Sequence, residues 1–125
     1  KAFKFIAKST TAFRYDPQSR FVKVREGHYL LYYEFRAEKS VKMIIEVMDR
    51  KINALMVSGD FFINPPEALM RINDLVKGLD VNKALKSSEV VVNKVFKEVK
   101  EVAGLTAESL SHALVNALKL LMDRI

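Results

Sequence analysis

The residues best suited to acid–base or nucleophilic chemistry are few and far apart in this sequence. Its 125 residues include two histidines, His28 and His112, and no cysteine. A catalytic nucleophile needs a base and an orienting group within reach, and a metal site needs several ligands at short spacing. The histidines form no ligand-spaced pair, and the four glycines match neither Gly-x-Gly-x-x-Gly nor Gly-x-x-x-x-Gly-Lys. The sequence therefore predicts no catalytic residues and no metal ligands, and a chain that is not catalytic alone.

The positive charge is concentrated at the amino terminus. Residues 1–25 hold seven lysines and arginines against only Asp16, and seven minus one gives +6, which equals the net charge of the whole chain. This basic arm is interpreted as the solvated face of strands, or alternatively as a nucleic-acid-binding module. The second hypothesis arises because aromatic residues, which can stack on bases, are interleaved with the cations. These aromatic residues are Phe3, Phe5, Phe13, Tyr15 and Phe21.

The segment from Val57 to Leu69 combines residue types that suit a functional loop. Gly59 permits a close approach of two backbones or a positive φ, and the Asp60 carboxylate can accept hydrogen bonds from backbone amides in a turn. Phe61 and Phe62 are adjacent, so in an extended chain their rings point to opposite sides. One ring can then fill the core while the other faces a neighbouring chain. The alternative is a tight strand-to-helix connection in which both rings are buried.

Hydrophobic periodicity indicates strands in the first half of the chain. Alternating segments occupy 2–7, 11–15 and 20–24, and a longer one runs from His28 to Arg36. Residues 41–58 predict a β-hairpin whose tight turn is Asp49-Arg50-Lys51.

The second half changes to helical spacing. Asn64 is the predicted cap of a first helix that ends at Gly78, and Ser87 or Ser88 is the predicted cap of a second helix that Gly104 ends. Thr106 is the predicted cap of a third helix. Strands followed by helices predict an α+β fold, an antiparallel sheet with helices packed on one face.

The composition of the whole chain indicates its general class. Half of the residues are apolar and 29% are charged, which is typical of a globular domain. No apolar run approaches the roughly 20 residues of a membrane span, and no signal-peptide pattern opens the sequence. We therefore expect one cytoplasmic domain over 1–125, with the basic strands or arm at 1–27, the hairpin and first helix at 28–79 and a helical remainder at 80–125.

The hairpin and the segment after it resemble the C-terminal domain of lipoate–protein ligases. The match runs from about Phe35 to Leu79. It comprises Arg36-Ala37-Glu38-Lys39-Ser40-Val41-Lys42, Ile44 to Val47, the turn, Ser58-Gly59-Asp60-Phe61-Phe62-Ile63, and Pro65 to Leu69. The Gly104 to Leu110 opening of the last helix is also similar to that family. Ser40 stands where the family often has glycine.

The resemblance implies a function. In lipoate–protein ligases a large domain binds lipoate and ATP with Mg²⁺, forms lipoyl-AMP, and transfers the lipoyl group to a lysine of an acceptor domain. The small C-terminal domain assists adenylation, and some organisms, archaea among them, encode it as a separate chain. The resemblance thus implies an accessory subunit that forms a heterodimer with a catalytic chain, meets a lipoyl acceptor domain indirectly, and binds no cofactor alone.

The same resemblance nominates the residues that complete the partner's active site. They are Arg36, Lys39, Lys42, Ser58, Gly59, Asp60, Phe61 and Phe62, with Lys39 as the leading candidate for a supplied charge. The alternatives left open by the sequence are the nucleic-acid-binding module and a non-catalytic protein-interaction domain.

Overall fold

The computed structural model of the chain describes residues 17–125. The strands predicted at 2–7 and 11–15 lie outside the described residues, as does most of the basic arm. The part of the arm that is described forms the first strand of a sheet. The nucleic-acid hypothesis therefore remains a prediction from the sequence.

Four strands form an antiparallel sheet in the order β1-β2-β3-β4. They are β1 (Gln18–Arg25), β2 (His28–Arg36), β3 (Ser40–Met48) and β4 (Lys51–Gly59). The predicted strand over 28–36 and the predicted hairpin over 41–58 are confirmed. Asp49 and Arg50 both have positive φ, 53° and 68°, which is the backbone geometry that two-residue hairpin turns favour. Lys51, predicted in the turn, already belongs to β4.

The first helix begins later than its sequence signals predict. Asn64 ends a short strand, β5 (Phe62–Asn64), and a 3-10 turn (Pro66–Leu69) precedes α1 (Met70–Val76). No side chain caps the 3-10 turn, so the predicted cap at Asn64 is wrong. The reason is a competing, non-local pairing, because β5 hydrogen-bonds to β6 (Glu101–Ala103), and Asn64 lies opposite Glu101.

The second helix, α2 (Val81–Phe96), begins six residues before the predicted cap. Asp80 caps it, and the Asp80 carboxylate accepts a hydrogen bond from the Asn82 N–H at 2.9 Å. The predicted caps Ser87 and Ser88 instead lie inside the helix, where each hydroxyl donates to the carbonyl four residues earlier. The helix ends at Phe96, well before the predicted stop at Gly104, because residues 101–103 pair with β5.

The third helix follows its sequence signal. Thr106 caps α3 (Ala107–Arg124), and its hydroxyl accepts from the Ser109 N–H at 3.0 Å. The Ser109 hydroxyl accepts in return from the Thr106 N–H, which completes a capping box.

The helices pack against one face of the sheet, which is the inner face, so the predicted α+β fold is confirmed. The inner face is buried and the opposite, outer face carries the alternate residues. The buried side chains of the inner face are Leu31, Tyr33, Phe35, Val41, Met43, Ile45, Val47, Ile52 and Leu55. The helices cover them with Ile72, Val76, Val81, Ala84, Val92, Val95, Leu110, Leu114, Ala117, Leu118 and Leu121.

The first half of the free edge of β4, residues 51–55, is blocked by α1 and by the segment that links α1 to α2. The Leu55 N–H donates to the Asn73 side-chain oxygen at 2.8 Å, and the Ile52 N–H donates to the Leu79 carbonyl at 2.8 Å. Lys51 also forms a β-bridge with Asp80. The backbone of β4 is thus occupied where an incoming strand would pair.

Across residues 17–125, no helix is both long enough and apolar enough to cross a membrane.

Candidate functional site

The predicted site residues gather where β2 ends, β3 begins and β4 ends. Arg36 lies opposite Ser40 in the β2–β3 register, and Lys42 lies opposite Ser58 in the β3–β4 register. Arg36, Lys42 and Ser58 are exposed. They share the strand parity of the outer face, so three side chains that are distant in sequence form one polar corner of that face.

Gly59 and Asp60 are held against the start of β3. The Asp60 N–H donates a hydrogen bond to the Ser40 carbonyl at 3.1 Å. A Cβ atom at Gly59 would collide with that same carbonyl oxygen and lie 3.0 Å from the Phe61 ring. This close approach requires glycine at position 59, as the sequence analysis predicts.

Lys39 is anchored by a residue whose role the sequence analysis missed. The Lys39 N–H donates to the Gly104 carbonyl at 3.3 Å, and the Lys39 stem covers Gly104 so closely that a Cβ there would lie 2.6 Å from Lys39 Cγ. The same Cβ would lie 3.3 Å from Phe61 Cβ. Gly104 has a φ of 91° and was interpreted from the sequence only as a helix stop. It is instead the contact point between the β2–β3 turn, the segment after β4 and the entry to α3.

The two phenylalanines separate as extended geometry requires. Phe61 is partly buried and packs against the core, whereas Phe62 is 54% exposed on β5 and pairs with Ala103. The interpretation that one ring fills the core while the other stays outside is therefore confirmed. Phe62 therefore offers an exposed apolar surface on the two-stranded β5–β6 sheet.

Charges of both signs gather at this end of the sheet, where Glu38 and Asp60 are exposed beside the three cations. Arg36, Lys39 and Lys42 are exposed, while the neighbouring Glu34 carboxylate accepts a hydrogen bond from the Ser40 hydroxyl at 3.0 Å. The span from Arg36 to Lys42 thus holds three cations and one acid, Glu38. Within residues 17–125, no group of three or more His, Cys, Asp or Glu side chains could hold a metal ion.

No protein-family model matches the sequence, and no curated protein matches it. The fold, in contrast, has a counterpart among solved structures. A chain from a structural analysis of an archaeal lipoylation system, a bipartite lipoate protein ligase and its E2 lipoyl domain from Thermoplasma acidophilum, aligns with a TM-score of 0.56. The two chains share a fold. The alignment covers 70% of this chain and 96% of that chain, at 19% sequence identity.

The structural likeness agrees with the fold that the sequence resemblance implies. The resemblance rests on the hairpin and the Ser58 to Phe62 segment, whereas the alignment extends over most of the described fold. At 19% identity the likeness establishes the architecture, and the resemblance predicted from the sequence is confirmed at that level. The roles of the individual site residues remain predictions.

Proposed function

We propose that this chain is the accessory component of a two-part lipoate–protein ligase and that it forms a heterodimer with a separate catalytic chain. The observation that carries the proposal is the convergence of the β2–β3 turn, the end of β4 and Gly104, which fixes the stem of Lys39 at the end of the sheet that also presents Arg36 and Lys42. Its support is the occurrence of the same fold in a bipartite ligase system. Sequence and fold therefore indicate a role in lipoylation through independent features.

The reaction has two steps. In adenylation, a carboxylate oxygen of lipoate attacks the α-phosphorus of ATP, the bond to the β-phosphate oxygen breaks, and pyrophosphate leaves. In transfer, a lysine amine of the acceptor domain attacks the acyl carbon of lipoyl-AMP, the bond to the AMP oxygen breaks, and the amine loses its proton. Negative charge develops on the leaving pyrophosphate in the first step and on the leaving AMP in the second, so a positioned cation can assist either step, and we assign this chain to the first.

The accessory chain would supply such cations and exclude water. Lys39 is the best placed of the three cations. The first carbons of its side chain are fixed against Gly104, while the residue as a whole remains exposed. A cation that is already positioned stabilises developing charge without reorganising, and displacing water strengthens that interaction. Arg36 and Lys42 lie at the same end of the sheet and would reinforce the potential.

The described residues fit the phosphates of ATP better than they fit its metal. The three cations complement phosphate oxygens, whereas residues 17–125 present no cluster of metal ligands. In this proposal Mg²⁺, which shields phosphate charge when bound, is therefore held with ATP and lipoate by the catalytic chain. The present chain binds none of them alone.

Lipoate-dependent exchange of pyrophosphate into ATP tests the proposal directly. The catalytic chain encoded in the same genome is assayed with this chain, without it, and with this chain alone. We expect exchange only in the mixture. Absence of exchange in every mixture, with a catalytic chain that is folded and uses preformed lipoyl-AMP, would contradict the proposal.

Lys39→Met sharpens the test because it keeps the stem that covers Gly104 and removes only the ammonium group. We expect the variant to bind the catalytic chain normally and to lower the exchange rate about tenfold or more, since one preorganised donor is commonly worth that much. Lys77→Met, at an exposed lysine after α1, is the matched control and should leave the rate unchanged. Equal rates for the two variants would remove Lys39 from the site.

The ligase system that supplies the structural counterpart also contains a lipoyl domain, so an acceptor role needs a separate readout. An acceptor carries the lipoyl group on one of its own lysines. Intact mass measured after a complete reaction distinguishes the two roles. We expect no mass gain on this chain, including at Lys51 beside the hairpin turn, and a stoichiometric gain would replace the accessory role by the acceptor role.

A further inference from the structure

The turn between β2 and β3, which carries Lys39, is tied to the rest of the fold by backbone hydrogen bonds. Within the turn, the Ala37 N–H donates to the Lys39 carbonyl at 3.0 Å. The Lys39 N–H donates in turn to the Gly104 carbonyl at 3.3 Å, and the Ser40 carbonyl accepts from the Asp60 N–H at 3.1 Å. The backbone around Lys39 is thus held by the entry to α3 and by the segment after β4.

Phe61 lies where these two supports meet. A Cβ atom at Gly104 would lie 3.3 Å from Phe61 Cβ and 2.6 Å from Lys39 Cγ, so both side chains close over the same glycine. A Cβ atom at Gly59 would lie 3.0 Å from the Phe61 ring. Gly104 is buried, and Phe61 is partly buried and packs against the core. Phe61 therefore connects the core, the segment after β4 and the glycine that supports Lys39.

The Phe61 ring is apolar and carries no charge, so it cannot itself stabilise charge on a phosphate. Its packing instead determines how closely the segment after β4 lies against Gly104. A gap of about 0.5–1 Å already removes a large part of a van der Waals contact. A smaller side chain at position 61 leaves room beside Gly104, into which the glycine and the first carbons of Lys39 can shift.

We propose that Phe61 is a positioning residue, which acts through Gly104 to hold the Lys39 side chain where adenylation needs its charge. The inference rests on the proposed function, because it concerns the reaction in which Lys39 takes part. A displacement of about 1 Å in a group that acts on the reacting atoms can cost about a hundredfold in rate. The resemblance nominated Phe61 together with Phe62 as part of the partner's site, whereas the partial burial of Phe61 supports this indirect role.

The competing interpretation is that Phe61 only fills the core. In that case its loss lowers the stability of the whole domain and does not single out Lys39. Phe21 on β1 provides the matched control, because it is also a partly buried phenylalanine that packs against the core. Its ring stacks on Tyr29 at 5.4 Å and lies 5.0 Å from the Arg124 guanidinium, so its contacts differ from those of Phe61.

Amide hydrogen exchange in the full-length chain, measured by NMR, tests the positioning without the ligase reaction. The Lys39 N–H is the reporter, and the Ile52 N–H, which donates to the Leu79 carbonyl at 2.8 Å, is the reference for stability elsewhere. We expect Phe61→Leu to speed exchange at Lys39 about fivefold or more relative to Ile52, because part of a packed ring is lost. Phe21→Leu should leave the ratio of the two rates unchanged.

Circular dichroism verifies that the variants fold. If Phe61→Leu does not fold, Phe61→Met replaces it, because the flexible methionine side chain adapts to irregular gaps in a core.

A double-mutant cycle with Lys39→Met connects the positioning to the reaction. Pyrophosphate exchange is measured with the catalytic chain and a saturating amount of each full-length variant. We expect Phe61→Leu to lower kcat about fivefold to tenfold in the wild-type background, with the affinity for the catalytic chain unchanged. In the Lys39→Met background it should have no further effect, because no ammonium group remains to be positioned.

The outcomes separate this inference from the proposed function. Exchange with wild type, combined with losses that multiply in the double variant, overturns the positioning role and leaves the accessory role standing. The same conclusion follows if Phe61→Leu leaves the ratio of the Lys39 and Ile52 rates unchanged, or if Phe21→Leu alters that ratio equally. Failure of wild type to support exchange overturns the proposed function and, with it, the use of Phe61 in adenylation.

Discussion

The two faces of the sheet use the same strands for opposite purposes. On β2, Tyr33 points into the helix layer and is 4% exposed, while the adjacent Tyr32 lies on the outer face and is 39% exposed. Burial raises the pKa of the Tyr33 phenol above its ordinary value, and a hydrogen bond with Asn116 offsets only part of that rise. On β3, Ile45 is buried and its neighbour Ile44 is only partly buried. Alternation therefore places stability on the inner face and leaves the outer face available for recognition.

The largest expected effect comes from exchanging these isoleucines for alanine. Ile45→Ala leaves a cavity in a core that is close-packed, and should lower the free energy of unfolding by about 2–5 kcal/mol. Ile44→Ala removes a half-exposed side chain and should cost about 1 kcal/mol or less. Urea unfolding followed by circular dichroism measures both values. Similar losses in the two variants would break the distinction between the faces.

Substitution of Gly104 tests the contact between the entry to α3 and the candidate site. Gly104→Ala and Gly78→Ala both put alanine at positive φ, 91° and 88°, which costs each variant about 1–2 kcal/mol. A Cβ at Gly78 meets no atom within 4 Å, whereas one at Gly104 displaces Lys39. We expect Gly104→Ala to be the less stable variant and the only one of the two that slows pyrophosphate exchange. The same exchange rate in both would show that the position of Lys39 is unimportant.

The smallest effect concerns the outer-face carboxylate of Glu46. Hydrogen bonds from Asn53 and then from His28 hold its pKa below the ordinary value of 4.5. A lowered folded-state pKa contributes stability above pH 4.5 and loses it as the pH falls through the folded pKa. Glu46→Gln should therefore lower stability near pH 7 by about 1 kcal/mol or less, and the difference from wild type should vanish in acid.

Unfolding measured across the pH range provides the comparison. Glu89→Gln, at an exposed position on α2, serves as the control. A Glu46→Gln effect that stays constant down to low pH would exclude the carboxylate as its source.

Local patterns in the sequence predicted the elements that local forces determine. Apolar and polar residues alternate from His28 to Arg36 and along the hairpin. This pattern predicted the strands correctly because one face of each strand is buried. Thr106 also predicted its helix correctly, since the hydroxyl acts on a backbone N–H only three residues away. The fold class follows from these elements together.

The failures occurred where a distant residue decides the outcome. Asn64 is a residue type that often caps helices, but its backbone belongs to β5 and pairs with Glu101 of β6. The same strand pairing ends α2 before Gly104. The caps predicted at Ser87 and Ser88, in contrast, failed for a local reason, because Asp80 is an equally good cap and comes first in the chain. For the site, the sequence predicted which segments matter, but the contact of Lys39 with Gly104 joins residues far apart in the chain.

The blocked edge of β4 limits the ways in which this protein can assemble. An open edge invites further strands, and repeated addition leads to fibres without a defined size. Here Asn73, Leu79 and Asp80 occupy backbone positions that a new strand would need. Strand addition is therefore disfavoured along the first half of β4. Helix α1 and the linker after it thereby protect this stretch of the sheet from fibre-like growth.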